Sequence, residues 1–146
     1  MSYHGLLPRT EFDSLIQALR SMGAECIGPT VRDNAIVYAP ISSSDALPQG
    51  IHDQQAPGSY KLNSGNGTRW FAWANGPQAL KPLLFSPQEP LWQVEREDDG
   101  GLRFQVQIPD VGLTAVIGVR ACDIAAMVLQ DQHFISGNNI DQAYAT

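Results

Sequence analysis

The sequence predicts an α+β fold: a mostly antiparallel sheet with hairpins, an N-terminal helix and a C-terminal strand-to-helix unit. Three observations carry that expectation. Residues 10–23 hold an apolar stripe at helical spacing. Residues 24–41 and 91–109 each read as strand, turn, strand. Residues 113–134 pass from an almost wholly apolar run into a helical pattern. Of the 146 residues, 43% are apolar and 16% are charged. That apolar share suffices for one core, and the low charge argues against disorder. No internal repeat or second domain is visible, so residues 1–146 read as a single domain.

The elements follow in order. In "LPRTEFDSLIQALRSMG", Thr10 is a candidate cap, with Asp13 three residues on like the acid of a capping box. Phe12, Leu15, Ile16, Leu19 and Met22 mark one helical face, and Gly23 is a stop. "AECIGPTVRDNAIVYAPI" reads as two strands joined near Arg32-Asp33-Asn34, with Cys26 a small buried hydrophobe beside Ile27. The stretch from Ser42 to Thr68 is poor in apolar residues and predicts a long surface excursion with one short strand at "SYKLN". Its "SGNGT" lacks the Lys-Ser/Thr ending of a phosphate-binding loop and reads as a turn.

"RWFAWA" is a β-prone aromatic run, and Trp70, Phe71, Trp73, Phe85 and Trp92 are candidates for core or interface, with core favoured because strand aromatics pack inward. Pro82 forbids a regular interior, so "QALKPLLF" reads as about one helical turn or a kinked segment. "LWQVEREDDGGLRFQVQIP" is a hairpin with an acidic, solvated tip. "LTAVIGV" has the pattern of a strand buried on both faces. "CDIAAMVLQDQHF" predicts a helix with Ile124, Met127, Val128 and Gln132 on one face and Asp123 at the N-terminus.

Composition excludes several classes of function. The net charge is −6 and no Lys/Arg cluster interrupts it, which argues against a nucleic-acid partner. The first residues lack the pattern of a signal peptide, and no run approaches the ~18 apolar residues of a membrane span. Two cysteines make no disulfide framework. The expectation is a cytoplasmic protein.

Cys122 is the conspicuous reactive group. A strand-to-helix junction puts it near helix N–H groups that favour a thiolate, and Arg120 adds positive potential while Asp123 opposes it. Such a thiol could serve as a nucleophile, a redox thiol, a metal ligand or a buried packing residue. A nucleophile needs a base, and His4, His52 and His133 sit in no recognisable catalytic context. No Cys-x-x-Cys pair exists, and the spacing of Cys26, Cys122 and the histidines does not support a zinc site.

Two segments point to a family. "GVRACDIAAMVLQDQHF" and "FAWANGPQALKPLLFSPQEPLWQV" together resemble the N-terminal region of the iron–sulfur beta subunit of soluble nickel–iron hydrogenases and sulfhydrogenases. The same family includes an iron–sulfur component of anaerobic sulfite reductases. Gly118, Val119, Arg120, Cys122, Asp123, Asp131 and Phe134 match the family's Gly-Val-Arg-Pro-Cys-Asp segment and helix, with Ala121 in place of the proline. Gly76, Pro77, Gln78, Lys81, Pro82, Leu84, Phe85 and Pro87 match its Gly-Pro-Gln and Lys-Pro elements.

The resemblance implies a non-catalytic domain of an electron-transfer subunit. Its partners would be the other subunits of a hydrogenase or reductase complex, including a flavin- and NAD(P)-binding one. Such subunits hold [4Fe-4S] clusters through downstream cysteine runs, which this chain lacks. The expectation is therefore an N-terminal part of a longer iron–sulfur subunit, binding no cluster alone. Within the parent, Cys122 would supply one thiolate to a [4Fe-4S] cluster, Asp123 would cap the helix and tune the local field, and Arg120 would offset the cluster's negative charge. The alternative is a stand-alone ligand- or protein-binding module with no redox role. A cysteine-dependent enzyme is a third reading.

Overall fold

A computed structural model describes residues 5–74, 80–85, 87–138, 140–142, 144 and 145. The fold is α+β, and the chain divides into two compact units. The first comprises residues 1–79 and 112–119, and the second residues 80–111 and 120–146.

The first unit begins with a single 3-10 turn, Arg9–Glu11, which runs into α1, Phe12–Ser21. Thr10 lies inside that turn and does not cap; the N-cap is Glu11, whose carboxylate accepts the Ser14 hydroxyl (3.2 Å) and makes no cap bond to a backbone N–H. Asp13 is used elsewhere: its Oδ1 accepts the N–H of Ser44 at 2.6 Å and anchors the short 3-10 turn Ser44–Ala46. Ile16 is fully buried, and Phe12 and Leu19 pack beside it. That is the i, i+4, i+7 seam of a helix lying on a sheet. Leu15 and Met22 are exposed instead. Leu15 sits on the flank of the seam, and Met22 lies past the last helical residue, where the chain leaves the face.

Strands β1 (Glu25–Arg32) and β2 (Ala35–Pro40) form an antiparallel hairpin. Its turn residues, Asp33 and Asn34, have φ of 49° and 58°. Both are left-handed, which matches the right-handed twist of paired strands and suits Asp and Asn among non-glycine residues. β1 is the central strand, with Cys26, Ile27, Gly28 and Pro29 all buried. Cys26 joins Ile16, Ile41 and Leu47 in the core, as its apolar flanks predict. Full burial of a side chain such as Ile16 contributes about 1.5–3 kcal/mol.

The Ser42–Thr68 excursion is more regular than its composition suggests. It contains a second hairpin, β3 (Ile51–Ala56) and β4 (Ser59–Ser64), around Pro57-Gly58. β4 is the strand expected at "SYKLN"; β3, "IHDQQA", carries no strand signal because its residues are mostly polar. The aromatic run "RWFAWA" forms no strand. Its backbone is tied by side chains instead: Ala74 N–H donates to Asp53 Oδ1 (2.6 Å), and Trp73 Nε1–H donates to the Trp70 carbonyl (2.7 Å). Trp73 is buried and Trp70 partly so, with the Arg9 guanidinium 3.9 Å above the Trp70 ring. Phe71 is exposed.

The second unit contains one helical turn, α2 (Lys81–Leu84), with Pro82 in its first turn, where a missing N–H costs nothing. Strands β5 (Trp92–Arg96) and β6 (Leu102–Val106) form the expected hairpin. Its acidic tip is closed by Arg103 Nε–H donating to Glu97 (2.7 Å) and by Gly101 N–H donating to Asp99 (2.8 Å).

The chain then returns to the first unit. The apolar run near residue 115 yields only a three-residue strand, β7 (Thr114–Val116), parallel to β1. The three-stranded sheet runs β2-β1-β7, so β7 is an edge strand, and its residues are exposed or only partly buried where the apolar run suggests full burial on both faces. Ala115 and Ile117 pack against the core, while Thr114 is exposed. Helix α3, Ala121–Phe134, belongs to the second unit. Ile124 and Val128, expected on a buried face, are exposed, and Met127 is partly covered. No helix among the described residues is long and apolar enough to cross a membrane.

Candidate functional site

The start of α3 is the candidate site. Arg120 is its N-cap, in extended conformation (φ −91°, ψ 157°), so Ala121, Cys122 and Asp123 form the first turn. Asp123 Oδ2 accepts the backbone N–H of Arg120 at 3.3 Å. This is the acidic half of a capping box, with the negative carboxylate at the positive end of the helix dipole. The Asp at the third helical position thus closes the turn on which Cys122 sits.

Cys122 is exposed. Its thiol belongs to the first turn of α3, between the Arg120 N-cap and Asp123 in the chain. Cys26 differs in every respect. It is buried in β1, its relative exposure is 2%, and its nearest polar contact is the Ile16 carbonyl, 3.8 Å from Sγ. The structure therefore separates an accessible thiol from a packing one, a distinction that spacing alone leaves open. Arg120 is half-buried.

The far end of α3 joins residues from two distant sequence segments. Phe85, from the Lys-Pro element, packs against Phe134 at 5.7 Å between ring centroids. Tyr144 stacks on Phe85 (5.9 Å) and packs against Phe134 (5.0 Å). The Tyr144 hydroxyl donates to Asp131 Oδ1 at 2.8 Å. Burial and this contact with a carboxylate push the Tyr144 phenol above its ordinary range, since the anion would meet both lost solvation and like charge. Asp131, Phe134 and Phe85 thus have a structural job, which is to fasten the end of α3. Gly76, Pro77 and Gln78 lie outside the described residues.

Among the histidines, His52 lies exposed on β3, paired with Asn63, and His133 lies exposed in the last turn of α3, edge-on to Phe134 at 4.9 Å. Both are surface residues, as their polar surroundings predict. His4 lies outside the described residues. An open groove of about 520 Å³ runs past Arg20, Glu25, Cys26 and Ser42 in the first unit, but the Cys26 thiol there is engaged in the core.

Four thiolates are the usual requirement of a [4Fe-4S] cluster. This chain has two cysteines, and one of them is a core residue. Its own residues therefore do not make a cluster site, although Cys122 fits as a single ligand. No group of three or more His, Cys, Asp or Glu side chains among the described residues could hold a metal ion. The aromatic expectation divides: Trp73 is core and Trp70 partly buried, but Phe71, Phe85 and Trp92 are exposed, and Trp92 shares the β5–β6 hairpin with the exposed Phe104. The alternation of "WQVER" and "LRFQV" is the signal in the sequence for that exposed apolar face. Comparison with family models, with characterised proteins and with solved structures returned no match to this chain.

Proposed function

We propose that this chain is a non-catalytic domain of an electron-transfer iron–sulfur subunit in a cytoplasmic oxidoreductase complex of the hydrogenase or sulfite-reductase type. The observation that carries the reading is the exposed Cys122 thiol in the first turn of α3. A cluster ligand must reach outward from a rigid element, and a helix start favours the negative charge of a thiolate and its cluster. Asp123 holds that turn closed by accepting the Arg120 N–H. Arg120 adds positive charge at the N-cap, just before the ligand. The remaining thiolates come from cysteines outside this chain. The bound cluster supplies one-electron transfer; the residues of this chain position a ligand, exclude water and dock neighbouring proteins.

A test is anaerobic purification of the protein from its source through an affinity tag, with mass spectrometry of what accompanies it. The expected companions are a flavin- and NAD(P)-binding protein and one holding a catalytic metal centre. Recovery without either removes the electron-relay reading. The second reading, a stand-alone binding module, draws on the exposed aromatic face of the β5–β6 hairpin. A protein recovered free of redox companions but bound to another partner favours it.

A further inference from the structure

We infer that the apolar face of the β5–β6 hairpin is a self-association surface, which a second copy of this chain covers in an antiparallel, two-fold arrangement. This inference is independent of any iron–sulfur cluster. In the hairpin register, Trp92 pairs with Val106, Val94 with Phe104 and Arg96 with Leu102. Side chains alternate across a strand, so these residues share one face. Gln93, Glu95, Arg103 and Gln105 share the other, where Gln105 Nε2 donates to Glu95 (3.4 Å). One face is therefore apolar except for Arg96 at the tip end, and the other is wholly polar.

The polar face needs no cover, but the apolar one does. Trp92 is 59% exposed, Phe104 65% and Val106 76%, and Val94, Leu102 and Ile108 are exposed with them. Trp92 and Phe104 touch, with centroids 5.6 Å apart, so the patch is continuous. A two-stranded hairpin with its apolar side in water is marginally stable. The patch offers roughly 600–700 Å² of apolar side chain, above what most monomers leave open and close to the ~800 Å² that each partner of a standard interface buries.

The pattern is also self-complementary. In a two-fold pair the same patch meets itself. When the axis lies in the interface across the strands, the hairpins run antiparallel and β5 faces β5. Trp92 then lies over Arg96 of the partner subunit in a cation–π contact made twice. Leu102 lies over Val106 of the partner subunit, while Phe104 meets its own equivalent at the centre. The acidic tips, with Asp98 and Asp99, fall at opposite ends. A parallel pairing would bring the two tips together and set like charges against each other. Sheets packed this way sit ~10 Å apart.

Sedimentation or light scattering of the whole chain, at concentrations on the order of 100 μM, tests the inference. The expected mass is twice the chain's 15.9 kDa. Val106→Lys is the discriminating variant. Val106 is so exposed that the change leaves the single chain folded, as circular dichroism would verify. In the pair it sets an ammonium among apolar side chains that the partner copy would otherwise cover. The dissociation constant then rises at least tenfold. A wild-type chain that stays at 15.9 kDa, or assembles past two copies, overturns the inference. So does a Val106→Lys chain that keeps the doubled mass. A chain that is monomeric alone but binds a different protein through this face counts against it as well.

Discussion

At the scale of single residues, Gly50 shows how a position can be dictated by its backbone. It has φ +68°, and a Cβ there would run into the carbonyl oxygens of Gly65 and Gly67. Its N–H donates to Arg69 O (2.9 Å), and its carbonyl accepts from Gly65 N–H (2.8 Å). "SGNGT" is thus a loop pinned by close backbone approach. Gly50→Ala is expected to cost about 2 kcal/mol or more, since left-handed strain adds to the collision. Gly58→Ala is the control, with a similar φ and open space around its Cβ, and is expected to cost about 1 kcal/mol. Urea midpoints for the two variants check the difference. Asp13 makes a similar point about reach. Local spacing suggests a capping role, yet its partner is Ser44, in a separate 3-10 turn far along the chain. A helix-cap pattern cannot show that a distant N–H competes for the same carboxylate.

Elements differ in how much of their placement local chemistry determines. The Asp33-Asn34 and Asp-Asp-Gly-Gly turns announce their hairpins, because turn residues act through their own backbone preferences. β3 is different: polar strands on an exposed hairpin carry no alternation to read, and pairing with β4 makes them strands. β7 shows the converse error. An apolar run suggests burial on both faces, but how far a strand is covered is a tertiary property that composition does not encode, and β7 is only partly buried. At α3 the candidate site is legible as a type, a Cys-Asp pair at a helix start. The exposure of Cys122 is not legible, since an apolar neighbourhood in sequence does not fix which side of a helix is covered. Asp123→Ala removes the acceptor of the Arg120 N–H and the charge at the positive helix end. The expected cost is about 0.5–1.5 kcal/mol, with Asp123→Asn recovering part of it, because the amide oxygen still accepts. Thermal melts, with amide exchange at the first turn of α3, measure it.

For the whole molecule, the α+β class follows from three periodicities, and the two compact units do not. Their division depends on contacts between segments far apart in the chain. The first unit holds the core of Ile16, Cys26, Ile41 and Leu47. The second holds the exposed thiol, the uncovered hairpin face and the aromatic cluster of Phe85, Phe134 and Tyr144. The buried core thus lies in the first unit, while the accessible thiol and the exposed hairpin face lie in the second. The role proposed for Cys122 is that of a cluster ligand. It is tested most directly by iron and sulfide content and by the EPR spectrum of the dithionite-reduced product of the complete reading frame. Wild type, Cys122→Ala and Cys26→Ala are compared after anaerobic purification. The expected result is that Cys122→Ala loses about four iron atoms per chain with the signal of one cluster, while Cys26→Ala keeps both. A Cys122→Ala protein with the iron and spectrum of wild type would contradict the claim.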